Sequence, residues 1–244
     1  MNLLNEAVRR ALARTNHGNT GVNGAVYSLL PEPDAFFAQN NDEQTLAPFH
    51  SVATGGFGVS GAQESVEGTM GVLRSDRLLL LHCEAKLLGF ASLLVLESLS
   101  TAHLHGIVLS QEMQGKGSAE KLVRAALSDL PCRYLTFSTQ SPRMFCLARK
   151  LTDWMFPDPG HLPLQSEEVV QVYAAVAERR GCEVNLQTGI IRDKYEACLY
   201  RAIPRSRDDM VNDWFDDSLE IADGTSRHAL FFIGALKKQN GGAE

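Results

Sequence analysis

Residues 103–127 read HLHGIVLSQEMQGKGSAEKLVRAAL. Ile107, Val108 and Leu109 are β-branched or large and apolar, as in a buried strand. Gly115 and Gly117 free the backbone to tighten where a Cβ would clash. Leu122, Val123, Ala126 and Leu127 then recur at helical spacing, with Glu120, Lys121 and Arg124 on the other face. The segment therefore reads as strand, glycine turn and amphipathic helix. The first N–H groups of a helix lack partners and lie at the positive end of its dipole. Residues 114–119 are thus a candidate cradle for a pyrophosphate.

Upstream, Arg77–Glu84 (RLLLLHCE) and Leu87–Glu97 (LLGFASLLVLE) are apolar strand-like runs. The short gap at Ala85 and Lys86 predicts an antiparallel hairpin. Downstream, Arg133–Thr139 (RYLTFST) is strand-like. Pro142 near a first turn opens a helix that carries Met144, Phe145, Leu147, Ala148 and Leu151. Residues 77–151 thus run strand, strand, strand, helix, strand, helix. The helix over 116–129 makes a parallel crossover between strands 103–110 and 133–139.

Gln114-Gly115-Lys116-Gly117-Ser118-Ala119 fits a known pattern: Gln or Arg, two residues, Gly, one residue, then Gly or Ala. In this strand and helix order it resembles the acetyl-CoA loop of the GNAT N-acetyltransferase superfamily, and the resemblance covers residues 70–151. It implies an α/β fold with a mixed, mostly antiparallel central sheet flanked by helices, in a single domain over 1–244. In that domain 1–68 are an N-terminal helix and loops, and 69–155 the acetyl-CoA-binding core. Residues 156–244 are a C-terminal extension, with a late strand at Ala229–Leu236 (ALFFIGAL). Acetyl-CoA is then the acyl donor. Gln114, Gly115, Lys116, Gly117, Ser118 and Ala119 hold its pyrophosphate, and the backbone of Ile107, Val108 and Leu109 its pantetheine arm. Gln140 stands where relatives carry a cofactor-binding asparagine.

The resemblance also points to the chemistry. Acyl transfer to an amine needs a base, stabilisation of the oxyanion and protonation of the leaving thiolate. His103 occupies the position where many relatives place a glutamate base, and a histidine titrates near neutrality. His105 shares its face of the strand, and Glu97 is a second candidate base. The helix tyrosine that relatives use as acid has no counterpart over 141–151, where Phe145 and Cys146 stand. The implied activity is acetyl-CoA-dependent N-acetylation of a primary amine, on a small molecule or a protein. The alternative is a non-catalytic GNAT-fold module that binds CoA or a partner.

Several other classes are disfavoured. A net charge of −6 over 244 residues gives no basic footprint for nucleic acid. The five cysteines, Cys83, Cys132, Cys146, Cys182 and Cys198, are widely spaced without a CxxC pair, so no metal site is expected. They read as core thiols of a cytoplasmic protein. No signal pattern opens the chain, and no apolar run nears the roughly 18 residues of a membrane span. A homodimer is compatible with the sequence. Gly56-Phe57-Gly58-Val59-Ser60-Gly61 is literally a GxGxxG, but Phe49–Ala53 is a weak strand and Gly68 interrupts any helix after it. The expectation is a mobile glycine loop rather than a dinucleotide turn.

The remaining expectations are coarser. Asn2–Arg14 is a helix, and 25–51 carries no clear element. Trp154–Gly160 is an aromatic segment running into a turn. Ser166 caps a helix over 167–180, and Val184–Ile191 and Glu196–Ile203 are candidate strands. Asp208–Asp223 is acidic, and its interleaved Trp214, Phe215, Leu219 and Ile221 favour a solvated helix face over an entrance for cationic amines.

Overall fold

The computed structural model describes residues 3–13, 17–19, 24–58, 66–160, 166–221 and 225–238. They pack as two compact units. The first contains the chain up to Val95, His103–Leu130 and the short segment Leu199–Ala202. The second contains Leu96–Ala102, Pro131–Cys198 and the chain from Ile203. The fold is α/β, with a mostly antiparallel sheet and flanking helices, as the sequence implies.

In chain order the elements of the first unit are α1 (Glu6–Leu12), β1 (His17–Asn19), β2 (Val26–Leu30), α2 (Pro33–Gln39), α3 (Glu43–Phe57), α4 (Val66–Leu73), β3 (Arg77–Cys83), β4 (Lys86–Leu96), β5 (Thr101–Leu109) and α5 (Ser118–Leu127). Strands lie in the order β1-β2-β3-β4-β5. The β1/β2, β2/β3 and β3/β4 pairs are antiparallel, and Cys83 faces Lys86 across a two-residue turn. The core of the unit is apolar and includes Leu78, Leu80, Phe90, Val108 and the helical residues Val8, Phe37, Phe49 and Val52.

Helix α3 is the main departure from the sequence reading. It lies largely in the stretch to which no element is assigned and takes in Gly56 and Phe57, the first two residues of the expected glycine loop. Asp42 starts it, accepting from the Thr45 N–H and the Thr45 hydroxyl, both at 2.9 Å. Leu46, Phe49, Val52 and Ala53 then supply a buried face at helical spacing. The Phe49 ring meets Phe37 and Phe90 edge-on at 5.4 and 5.7 Å. Pro48 and two glycines lower the propensity of this segment, and burial overrides it. Gly56 and Phe57 form the last turn, and Gly58 closes it with φ 70°. Val59, Ser60 and Gly61 lie outside the described residues. A helix C-terminus presents carbonyls and partial negative charge, so the GxGxxG is no dinucleotide site.

The second unit holds β6 (Tyr134–Thr139), α6 (Pro142–Leu151), β7 (Thr152–Phe156), α7 (Glu167–Arg179), β8 (Ile190–Ile191), α8 (Asp209–Leu219) and β9 (Ala229–Leu236). Strand β9 is its axis. It pairs with β6 on one edge, while β7 and β8 share the other, against Ile233–Leu236 and Ala229–Leu230. Where those two strands meet, the buried Tyr173 of α7 donates its hydroxyl to the Phe231 carbonyl at 2.6 Å. Burial pushes this phenol far above its ordinary pKa.

The aromatic segment begins in strand β7 with Trp154, Met155 and Phe156 and runs into a turn at Pro159 and Gly160, as expected. Elsewhere the sequence reading needs several corrections. Only Ile190 and Ile191 of the expected strand 184–191 join the sheet, and 196–203 is irregular. Ser166 stands at the N-cap of α7, but its side chain makes no capping bond. The acidic run is largely α8, which buries Val211, Phe215 and Leu219 and ties Asp216 to Arg205 at 2.7 Å. Among the described residues no helix is long and apolar enough to cross a membrane.

Two substitutions test this packing. Tyr173→Phe keeps the ring and removes the only donor it offers to Phe231, and is expected to cost about 1–2 kcal/mol in urea unfolding. Gly56→Ala sets two effects against each other. A Cβ there would lie 2.6 Å from Val108 Cγ1 and 2.8 Å from the Leu109 carbonyl oxygen. The gain in helix propensity is roughly 0.5–1 kcal/mol, and overpacking costs about 1–3 kcal/mol. Because one clash is with backbone, overpacking wins and the variant unfolds at lower urea. Equal midpoints for Gly56→Ala and the parent protein would contradict that contact.

Candidate functional site

Strand β5 leads into the candidate site. His103 is buried at 3% exposure, and half-buried His105, two residues on, has its ring centre 6.3 Å away. Ile107 is half-buried, and Val108 and Leu109 are buried. The strand ends where the Ser110 N–H donates to the Leu88 carbonyl at 2.8 Å. A 3-10 turn over Gln111–Met113, pinned by buried Met113, carries the chain into the glycines.

Gln114 does not point its carboxamide outward. Its Nε2 donates to the Leu109 and Gly56 carbonyls, both at 3.1 Å, so the side chain ties the loop to the ends of β5 and α3. Gly115 and Gly117 both have φ 74°, and a Cβ on either would meet nothing within 4 Å. These left-handed positions call for glycine because of backbone conformation, and they leave the loop open to an approaching group. Gly117 is the N-cap of α5 and supplies no side chain to the first-turn N–H groups. Two buried hydroxyls flank the loop without a protein partner, Ser110 Oγ before it and Ser118 Oγ at the first helical position. Lys116 is exposed between the two glycines. Open N–H groups, an unpartnered hydroxyl and a nearby cation make a donor set that fits a diphosphate.

The structure brings Ile107, Val108, Leu109 and the whole loop Gln114–Ala119 together in the first unit, with His103 on the same strand. The other predicted residues lie in the second unit. Glu97 ends no strand, but opens an exposed 3-10 turn, Glu97–Leu99. Burial first, and then the Glu97 carboxylate, push the Cys132 thiol up from its ordinary pKa. Gln140 is fully buried, and its Nε2 donates to the Ser226 and His228 carbonyls at 3.0 and 2.8 Å. Among the described residues no group of three or more His, Cys, Asp or Glu side chains is placed to hold a metal ion.

Sequence reasoning misses the segment Leu199–Ala202, which belongs to the first unit. Its Arg201 N–H reaches the Phe57 carbonyl at 3.4 Å, and the Tyr200 ring meets Phe57 edge-on at 5.3 Å. No local pattern announces a contact across so long a sequence separation.

Residues 62–144 match the model of the acetyltransferase (GNAT) family. No curated protein sequence matches the chain. Among solved structures, an IAA acetyltransferase from Bacillus cereus is 13% identical with a TM-score of 0.43, over 87% of this chain and 99% of that one. Diaminobutyrate acetyltransferase from Paenibacillus lautus, in complex with L-2,4-diaminobutyric acid and coenzyme A, is 14% identical with a TM-score of 0.38, over 86% and 95%. A GNAT family acetyltransferase from Elizabethkingia anophelis with acetyl-CoA bound is 18% identical with a TM-score of 0.32, over 43% and 75%. The matched segment contains β3, β4, β5, the glycine loop, α5 and β6, so the similarity to the GNAT acetyltransferase family covers the strands and the loop of the candidate site.

Proposed function

We propose that the protein is an acetyl-CoA-dependent N-acetyltransferase, acting in the cytoplasm on a primary amine of a small molecule or protein. The carrying observation is the loop 114–119, whose two left-handed glycines open onto an uncapped helix start with the unpartnered Ser118 hydroxyl beside it. The first N–H groups of α5, Ser118 Oγ and Lys116 bind the pyrophosphate of acetyl-CoA. The backbone of Ile107, Val108 and Leu109 runs beside the pantetheine arm, and a β5 N–H polarises the acyl carbonyl. Gln114 and Gln140 contribute by fixing backbone, since the amide donors of both are spent on carbonyls.

The amine must lose a proton as it attacks. His103 takes it, with half-buried His105 on the same face connecting it toward solvent. The acceptor is the second substrate, attacking the thioester directly without an acyl-enzyme intermediate.

Two measurements test the reading in order. Calorimetric titration with CoA examines the cradle. Gly117→Asp places a side chain and a negative charge at a left-handed position in it, and is expected to weaken binding at least tenfold, about 1.4 kcal/mol. Unchanged affinity in a folded variant would remove the loop from the site. A screen of primary amines, read as thiol release from acetyl-CoA, then examines turnover. With an acceptor in hand, His103→Ala is expected to lower kcat by roughly 10²–10⁴-fold at nearly constant CoA affinity. The parent protein should show an ascending limb in its pH profile, and the variant should lose it. A limb that survives in both His103→Ala and His105→Ala would exclude the strand histidines as the base. CoA binding with no thiol release for any amine would favour the non-catalytic alternative.

A further inference from the structure

Cys182 and Lys194 stand on the two arms of a tight hairpin in the second unit. After α7 the chain turns at Gly181, φ 60°, and the Cys182 N–H donates to the Ala177 carbonyl at 2.9 Å. Val184 and Ile191 form an antiparallel bridge, and the Asn185 N–H donates to the Ile190 carbonyl at 3.0 Å. Beyond the bridge the chain turns at Arg192 and Asp193, which brings Lys194 back toward Cys182. Asp193 adopts a left-handed backbone, φ 48°, and is fixed by its N–H to His228 Nδ1 at 3.1 Å and its ion pair with Arg227 at 2.6 Å. Tyr195 anchors the far side, its N–H donating to the Arg227 carbonyl at 3.1 Å. The result is a Lys194 Nζ 3.0 Å from Cys182 Sγ, with both residues half-buried.

We infer that this pair is a self-acylation site that takes an acyl group from a soluble acyl thioester such as acetyl-CoA. In the first step the Cys182 sulfur attacks the thioester carbonyl. The bond from that carbon to the CoA sulfur breaks, and the cysteine proton leaves with the departing thiolate as free CoA thiol. Cys182 now carries the acyl group as a new thioester. In the second step the neutral Lys194 amine attacks the same carbon. The new C–N bond forms, the C–S bond breaks, and a proton from the amine returns to sulfur. The net change is acyl-CoA plus lysine giving acyl-lysine plus CoA, and the thiol is regenerated.

Geometry and ordinary reactivity both favour this order. A thiol is more nucleophilic toward a thioester near neutrality than a lysine amine, which is then mostly protonated. Once the acyl group is on Cys182, the amine attacks from within the same hairpin. Reacting atoms held about 3–3.5 Å apart behave as if at very high effective concentration. The relay does not use the loop 114–119, so it stands or falls independently of the proposed enzyme activity.

The test incubates the purified full-length protein with acetyl-CoA and tracks each lysine by peptide mass spectrometry. Lys194 is expected to acetylate at least about tenfold faster than exposed Lys121 and Lys150. Cys182→Ser should bring it down to their rate. Lys194→Arg should trap the acyl group on Cys182, where hydroxylamine removes it. Gly117→Asp should leave the Lys194 rate unchanged. Equal Lys194 rates in the parent protein and Cys182→Ser would overturn the relay, as would the absence of a hydroxylamine-labile adduct in Lys194→Arg. Loss of the reaction in Gly117→Asp would also overturn it, assigning the acetylation to the proposed transferase acting on its own chain.

Discussion

The end of α3 approaches the end of β5 so closely that a Cβ on Gly56 would fall 2.8 Å from the Leu109 carbonyl oxygen. The same carbonyl accepts one Gln114 amide bond, and the Gly56 carbonyl accepts the other. Three pieces of chain are therefore joined at one point: a helix end, a strand end and the start of the glycine loop. The arrangement leaves little slack. A bulkier residue at 56 would push the helix off the strand, and without the carboxamide of Gln114 two carbonyls would lose a donor. The geometry of the loop, two left-handed glycines and an uncapped helix start, is built outward from this junction.

Legibility in the sequence tracks how local the controlling physics is. The strands 77–83, 86–96 and 101–109, helix 118–127, strand 134–139 and helix 142–151 carry their own apolar period and turn residues, and they are readable. Strand 229–236 is readable for the same reason, as an apolar run bounded by polar residues. Helix 43–57 is not. Pro48, Thr54, Gly55 and Gly56 argue against it residue by residue, and only the fit of Phe49, Val52 and Ala53 to the core holds it helical. The expected strand 184–191 fails for the opposite reason. Its pattern is adequate, but Gly189 turns the chain so that only Ile190 and Ile191 reach β9.

The candidate site is legible in part, and the division runs between backbone and side chain. A glycine requirement is written in the sequence, so Gly115 and Gly117 announce their loop. Where a glutamine carboxamide points is not. Gln114 and Gln140 both read as ligand-facing, yet each directs its amide nitrogen to two backbone carbonyls, of which Gly56, Ser226 and His228 arrive from distant parts of the chain. Alternation along β5 does place His103 and His105 on one face, because strand period is a local property. Their unequal burial depends on what packs above them, and sequence alone is silent on that.

Accounting for polar groups also separates scaffold from site. A buried donor already bonded to protein gains little from a ligand, since taking it away leaves a carbonyl unsatisfied at about 1–3 kcal/mol. Tyr173, Gln114 and Gln140 are of this kind. A buried hydroxyl with no protein partner has that cost already, and a ligand oxygen would relieve it. Tyr27, Thr69 and Ser92 in the first unit share the condition with Ser110 and Ser118, so an unpartnered hydroxyl by itself does not mark a site. Of these five, only Ser118 combines it with an uncapped helix start and an open glycine turn. Pyrophosphate oxygens at this point would satisfy the hydroxyl and the first-turn N–H groups together, and the helix dipole would favour their charge. The donor accounting and the backbone conformation therefore converge on the same residues, by arguments that do not share a premise.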